Sequence, residues 1–150
     1  MAHRLSTRKF LGINTRTDGI VMTDIELGSD PDAKVTFKCY DFAGQKEYSH
    51  THMLFFNKNA LFCVVHNPLR HAVNESSDDS LDEYLEMIAN TAQNADIILV
   101  TTRCNEEGAV VSDEFIEELK AKYPYINIGH VIPVDSSDGT GYEQLEEVLV

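Results

Sequence analysis

Apolar residues fall into two kinds of run along this chain. Short β-branched and aromatic runs alternate with longer stretches in which apolar residues return every three or four positions. Ile20 to Leu27 and Ala33 to Tyr40 are runs of the first kind, joined by the polar turn Gly28-Ser-Asp-Pro-Asp32. Strands so closely joined form an antiparallel hairpin. Ala60 to His66 and Asp96 to Thr101 are apolar almost throughout, which predicts strands buried on both faces of a parallel sheet. His130 to Val134 reads as a last strand, with Pro133 suited to a sheet edge. Helical spacing marks 81–91 through Leu81, Leu85 and Ile88, with Ser80 as cap and Glu83 at the capping-box position. Ser112 or Asp113 caps a helix running to about Tyr123, where Pro124 stops it, and Tyr142 opens a helix that reaches Val150. Residues 1–13 carry Leu5, Phe10 and Leu11 as a fragment of a helix closed by Gly12. Strands alternating with helices make this an α/β chain, with a single domain expected over 1–150.

Charge narrows the function. Twelve basic against 25 acidic residues leave a net charge of −13, which would repel a phosphate backbone, so no nucleic-acid partner is expected. The one basic cluster, His3-Arg4 with Arg8-Lys9, is too short to be more than a helix face. Cys39, Cys63 and Cys104 are well separated, and two of them sit inside strand patterns. That pattern fits reduced thiols of a cytoplasmic protein and not a disulfide framework. Nowhere does an apolar run reach the roughly 18 residues of a membrane span, so no integral membrane segment is expected.

The strongest motif lies where the second strand ends. Val35-Thr-Phe-Lys-Cys-Tyr-Asp41 runs into Phe-Ala-Gly44-Gln45, so a carboxylate closes the strand and a glycine follows three residues later. In open α/β sheets ligands bind beyond the carboxyl ends of strands. Asp41 suits a Mg²⁺ ion held through water, Gly44 a close approach of its N–H to a γ-phosphate, and Gln45 the orientation of an attacking water. The run Asp-Phe-Ala-Gly-Gln-Lys-Glu-Tyr, then Thr51-His52, then Phe55-Phe56, resembles the switch II region of Roc domains, the Ras-like GTPase modules of ROCO proteins. Thr17-Asp18-Gly19-Ile20, a turn signal when taken alone, resembles the same family's switch I, 24 residues ahead of Asp41.

The resemblance implies a three-layer Ras-like fold: a mixed, mostly parallel sheet with one antiparallel hairpin at about 14–40, and helices on both faces. It implies GTP or GDP with Mg²⁺ as ligand, Thr17 and Asp41 on the metal, Gly44 on the γ-phosphate and Gln45 as the catalytic residue. Thr102-Arg103-Cys104-Asn105 stands where the family writes N-K-x-D or T-x-x-D to read guanine, and Ser136 in Asp135 to Gly141 resembles the last base-contacting loop. Asn105 departs from the family's Asp. An amide offers one acceptor where guanine presents two donors, so base selection is expected to be poor, by about 1–3 kcal/mol.

No G-x-x-x-x-G-K-[ST] segment occurs in the 150 residues, and the chain looks like a G domain entered midway along its first helix. The family's first strand would lie between the strand ending at Asp41 and the strand at 60–66, so a gap is expected there. The implied function is a GTP-binding switch of a multidomain signalling protein, with a COR-type domain in cis or a Roc homodimer as partner. Whether the chain acts as an enzyme stays open. The alternatives are a nucleotide-free pseudo-GTPase scaffold and an unrelated flavodoxin-like fold, which would show an all-parallel sheet. His50 and His52 are expected to pack within the switch loop, and Leu54-Phe55-Phe56 to be core.

Overall fold

The computed structural model describes Leu5 and residues 19–28, 34–42, 49–71 and 81–150. Strands β1 (Ile20–Leu27) and β2 (Val35–Phe42) pair antiparallel in unbroken register, from Ile20 opposite Phe42 to Leu27 opposite Val35. This is the expected hairpin, running to Phe42 and not stopping at Tyr40; residues 14–18 and the turn at 29–33 lie outside the described residues. Its antiparallel pairing removes the flavodoxin-like alternative. Next come the short helix α1 (Ser49–His52) and a 3-10 turn, Met53–Phe55. Strand β3 (Leu61–His66) and the one-turn helix α2 (Pro68–His71) follow. Then come α3 (Leu81–Thr91), β4 (Asp96–Thr102), α4 (Asp113–Lys122), β5 (Asn127–Val134) and α5 (Tyr142–Leu149). Strands β3, β4 and β5 form a parallel sheet in that order. β5 starts three residues earlier than its hydrophobic pattern suggested, because Asn127 and Ile128 pair with Asp96 and Ile97 before an irregularity in register.

Two apolar layers cover the sheets. On one side α3 and α4 pack Leu85, Ile88, Ile116 and Leu119 against Ile97, Leu99 and Ile128. On the other, Leu5 and α5 residues Tyr142 and Leu145 pack on Ile25, Leu27, Ile98, Val100 and Ile132. The hairpin therefore shares a core layer with the parallel sheet although no strand pairing among the described residues joins them. Ser112 caps α4, its hydroxyl accepting from Phe115 N at 3.2 Å. Ser112→Ala is expected to cost about 1 kcal/mol in urea unfolding.

Two expectations need correction. β3 is not buried on both faces: Leu61 and Val65 are 43 % and 49 % exposed, whereas every residue of β4 from Ile97 to Thr101 is buried. The compositions are alike; the difference is position, since among the described residues β4 has a strand on each side and β3 only one. Leu54 and Phe55 are also exposed, and of the three apolar residues only Phe56 packs on the core, edge-on to Phe62 at 5.1 Å. The short 3-10 turn points its side chains in too many directions to bury all three.

Candidate nucleotide site at the carboxyl ends of the strands

The parallel topology brings the loops after β4 and β5 together. Cys104 N donates to the Val134 carbonyl at 3.2 Å, tying the first residues after β4 to the end of β5. Asn105 Nδ2 then donates to Asp138 Oδ2 at 2.9 Å and to Thr140 Oγ1 at 3.5 Å. The sequence separates these residues by 33 positions; the fold makes them neighbours. Both amide protons of Asn105 thus face the 135–141 loop.

That loop is built by its own carboxylates. Asp135 accepts from Ser137 N at 2.9 Å and from Ser137 Oγ at 2.5 Å. Asp138 accepts from Thr140 N at 2.9 Å, and Asp135 N and Gly139 N close the loop through Thr140 O and Asp135 O. The Ser137 hydroxyl holds Asp135 below the usual carboxylate range, and the Thr140 amide does the same for Asp138. Burial, then these two charges, push the Cys104 thiol up. The cluster is acceptor-rich at neutral pH, which suits the N–H edge of a heteroaromatic base and not a phosphate. Neither Asp135 nor Asp138 stood out as a site residue in the sequence, although the Asp135 to Gly141 loop that holds them resembled the last base-contacting loop, with Ser136 as its contact.

Of the site residues read from the sequence, Asp41 and Thr102 both line a cleft between β2 and β3, as do His66 and Asn67. Thr102 Oγ1 donates to the His66 carbonyl at 3.3 Å, which fixes the side chain at the end of β4. Arg103, at φ +61°, turns its guanidinium to Glu106, 3.4 Å from Nε to Oε1. The Ser136 hydroxyl bonds the Tyr142 phenol at 2.7 Å. Thr17, Gly44 and Gln45 lie outside the described residues. For a guanine nucleotide with Mg²⁺, the described groups fit on two sides: Asp41 as a carboxylate at a strand end, and the Asn105 loop as a set of acceptors.

His52 is buried against Phe42, ring centroids 4.8 Å apart. Burial pulls its pKa below the ordinary histidine value, because the charged form would lose its hydration. With the folded pKa below the unfolded one, the stabilising effect is complete above the unfolded value of about 6.5 and declines as pH falls through it. Urea midpoints are expected to drop between pH 7.5 and 5.5, by less in His52→Leu than in wild type; equal slopes would refute this.

A family profile described as "Ras of Complex, Roc, domain of DAPkinase" matches residues 1–105. The chain is 30% identical over 142 residues to the probable serine/threonine-protein kinase roco5 of Dictyostelium discoideum, covering 92% of this chain and 5% of that protein. It is 28% identical over 127 residues to the same organism's roco6, covering 81% of this chain and 6% of that protein. The chain therefore spans about a twentieth of the length of the curated relatives it matches. The solved structure of Methanosarcina barkeri Roco2 RocCORdC bound to GDP superposes with a TM-score of 0.73 at 21% identity, over 99% of this chain and 42% of that one, a likeness of fold. Among the described residues no helix is long and apolar enough to cross a membrane. By the extent of the profile match and by its relatives, the chain belongs to the Roc family, the Ras-like domains of ROCO proteins.

Proposed function

We propose that this chain is the nucleotide-responsive portion of a GTP-binding switch in a ROCO-type signalling protein of the cytoplasm. Within it, 1–150 forms one domain. The observation that carries the reading is the meeting of the two loops after β4 and β5 through Asn105 and Asp138, with Asp41 and Thr102 at the neighbouring strand ends. In this reading Thr17 and Asp41 hold Mg²⁺ and Gly44 donates its N–H to the γ-phosphate. Gln45 orients the attacking water, while Thr102, Arg103, Asn105 and Ser136 form the base side. The bound ion would neutralise developing phosphate charge; the residues of this chain position the nucleotide, with poor selection of the base through Asn105. A COR-type domain in cis or a second Roc domain is the expected partner.

Most attraction for β- and γ-phosphates comes from the backbone amides and Lys of a G-x-x-x-x-G-K-[ST] loop, which these 150 residues do not contain. The 150-residue chain is therefore expected to bind GTP with Mg²⁺ no tighter than about 1 mM, roughly −4 kcal/mol. The same chain with a strand and such a loop joined ahead of residue 1 should bind at least tenfold, about 1.4 kcal/mol, more tightly. Calorimetry on both checks this. Micromolar binding by the shorter chain, or none by the longer, would overturn the reading; the second result would leave the scaffold alternative.

A further inference from the structure

We propose that Asp138, in the loop after β5, sets base specificity in this chain by accepting from the exocyclic 2-amino group of guanine. The assignment deepens the nucleotide reading above and rests on it. A carboxylate at position 105 would set two acceptors side by side against the two N–H donors of guanine. The amide of Asn105 replaces one of them with Nδ2, a donor. The fold puts a carboxylate next to that atom. Asn105 Nδ2 donates to Asp138 Oδ2 at 2.9 Å and to Thr140 Oγ1 at 3.5 Å. The missing acceptor is therefore displaced by one hydrogen-bond length and not lost.

The surroundings leave Asp138 able to meet a base. It is exposed, as is Asn105, whereas Asp135, the other carboxylate of the loop, is buried and takes both the amide and the hydroxyl of Ser137. Asp138 Oδ1 accepts from Thr140 N at 2.9 Å and Oδ2 from Asn105, while a carboxylate offers about four acceptor sites. Those bonds tie the carboxylate to both loops, so little ordering is left for binding to impose. The bonds from Thr140 also hold its pKa below the ordinary carboxylate value, which keeps it an acceptor at neutral pH. Asn105 Oδ1 accepts from the Cys104 thiol at 3.8 Å, a weak donor, and keeps a lone pair for N1–H of the base. Two residues 33 positions apart thus read two donors together. Xanthine, with a carbonyl where guanine has its amino group, would set an acceptor against the Asp138 charge.

The test uses the 150-residue chain with the soluble monophosphates GMP and XMP, the latter carrying xanthine. Amide resonances of 102–105 and 135–141 are followed by heteronuclear NMR as each is added to about 20 mM, and initial slopes give relative affinity. In wild type GMP is expected to move both loops and to bind about five- to tenfold better than XMP. Asp138→Asn should weaken GMP and strengthen XMP, bringing the ratio below about twofold, because an amide can donate to the xanthine carbonyl. Asp138→Glu keeps the carboxylate and should keep the order. A residue that merely supported the loop would, when changed, weaken both nucleotides together. A common loss in D138N, an unchanged ratio, or a wild type that binds the two equally overturns the assignment and leaves the nucleotide reading in place. If neither nucleotide moves either loop, the assignment fails together with the base side of that reading. Should D138N fail to fold, D138E decides alone: the order kept supports the assignment, the order lost overturns it.

Discussion

Gly141→Ala is expected to unfold the chain several degrees below any other single-methyl addition. Gly141 sits at φ +78° ahead of α5, in the left-handed region where a Cβ costs about 1–2 kcal/mol. The steric cost is added to this. A Cβ there would overlap the Pro133 carbonyl oxygen and stand 3.0 Å from its carbon and 3.2 Å from Val134 Cα, all backbone of β5. Backbone within a paired strand cannot step aside as a flexible side chain can, so either the 135–141 loop or β5 must shift. The combined loss should reach about 4–5 kcal/mol, the range reserved for named structural faults. For a domain of this size that lowers Tm by about 10–15 °C. Two other glycines separate the causes. Gly19, at φ +73° with nothing within 4 Å of an added Cβ, carries strain alone, and Gly19→Ala should cost about 1 kcal/mol. Gly129 has neither fault, and Gly129→Ala should be neutral or slightly stabilising. Thermal unfolding of the three variants checks this. If Gly141→Ala melts with Gly19→Ala, the loop yields freely and the packing argument fails. Because Asp138 and Thr140 lie in this loop, the first variant should also release Asn105 from its partners.

In the chain completed by a phosphate-binding loop, Asn105→Asp is expected to raise the preference for GTP over xanthosine triphosphate by about 10–100-fold, 1.4–2.7 kcal/mol. A carboxylate gives two acceptors to the two N–H donors of guanine, whereas the amide sets a donor against one of them. The structure adds a qualification to this arithmetic. Both protons of Asn105 point to Asp138 and Thr140, and its carbonyl oxygen accepts from the Cys104 thiol at 3.8 Å. An aspartate at 105 would face Asp138 charge to charge, so the variant should also lose some stability, which removal of the Asp138 charge (D138N) would restore. Competition binding measures the ratio. A completed wild type that already favours GTP by 100-fold or more (about 2.7 kcal/mol) would show that Asn105 is not the base-reading position. Gln45→Leu in the same chain should slow hydrolysis, since an apolar side chain cannot orient water. An unchanged rate would remove Gln45 from the chemistry and favour the scaffold.

Much of this was legible before any coordinates. The helix at 81–91 and the strand starts at 20 and 96 follow from local periodicity and turn chemistry, which act over a few residues and need no distant partner. The motif Asp41 to Tyr48 carried the family, because spacing within one loop is a property of the chain itself. Tertiary structure decided what depends on neighbours in space. β3 and β4 have similar apolar runs, yet one is half-exposed and the other buried, since burial is set by the strands alongside and not by composition. Leu54 and Phe55 went to the surface because the short 3-10 turn that carries them cannot aim successive side chains at one core. The link from Asn105 to Asp138 spans 33 residues and could arise only when parallel strands placed two loops at one end of the sheet. The open cleft between two apolar edges is likewise a relation between elements: each strand's sequence specifies its own edge, and only the fold sets the two edges facing each other.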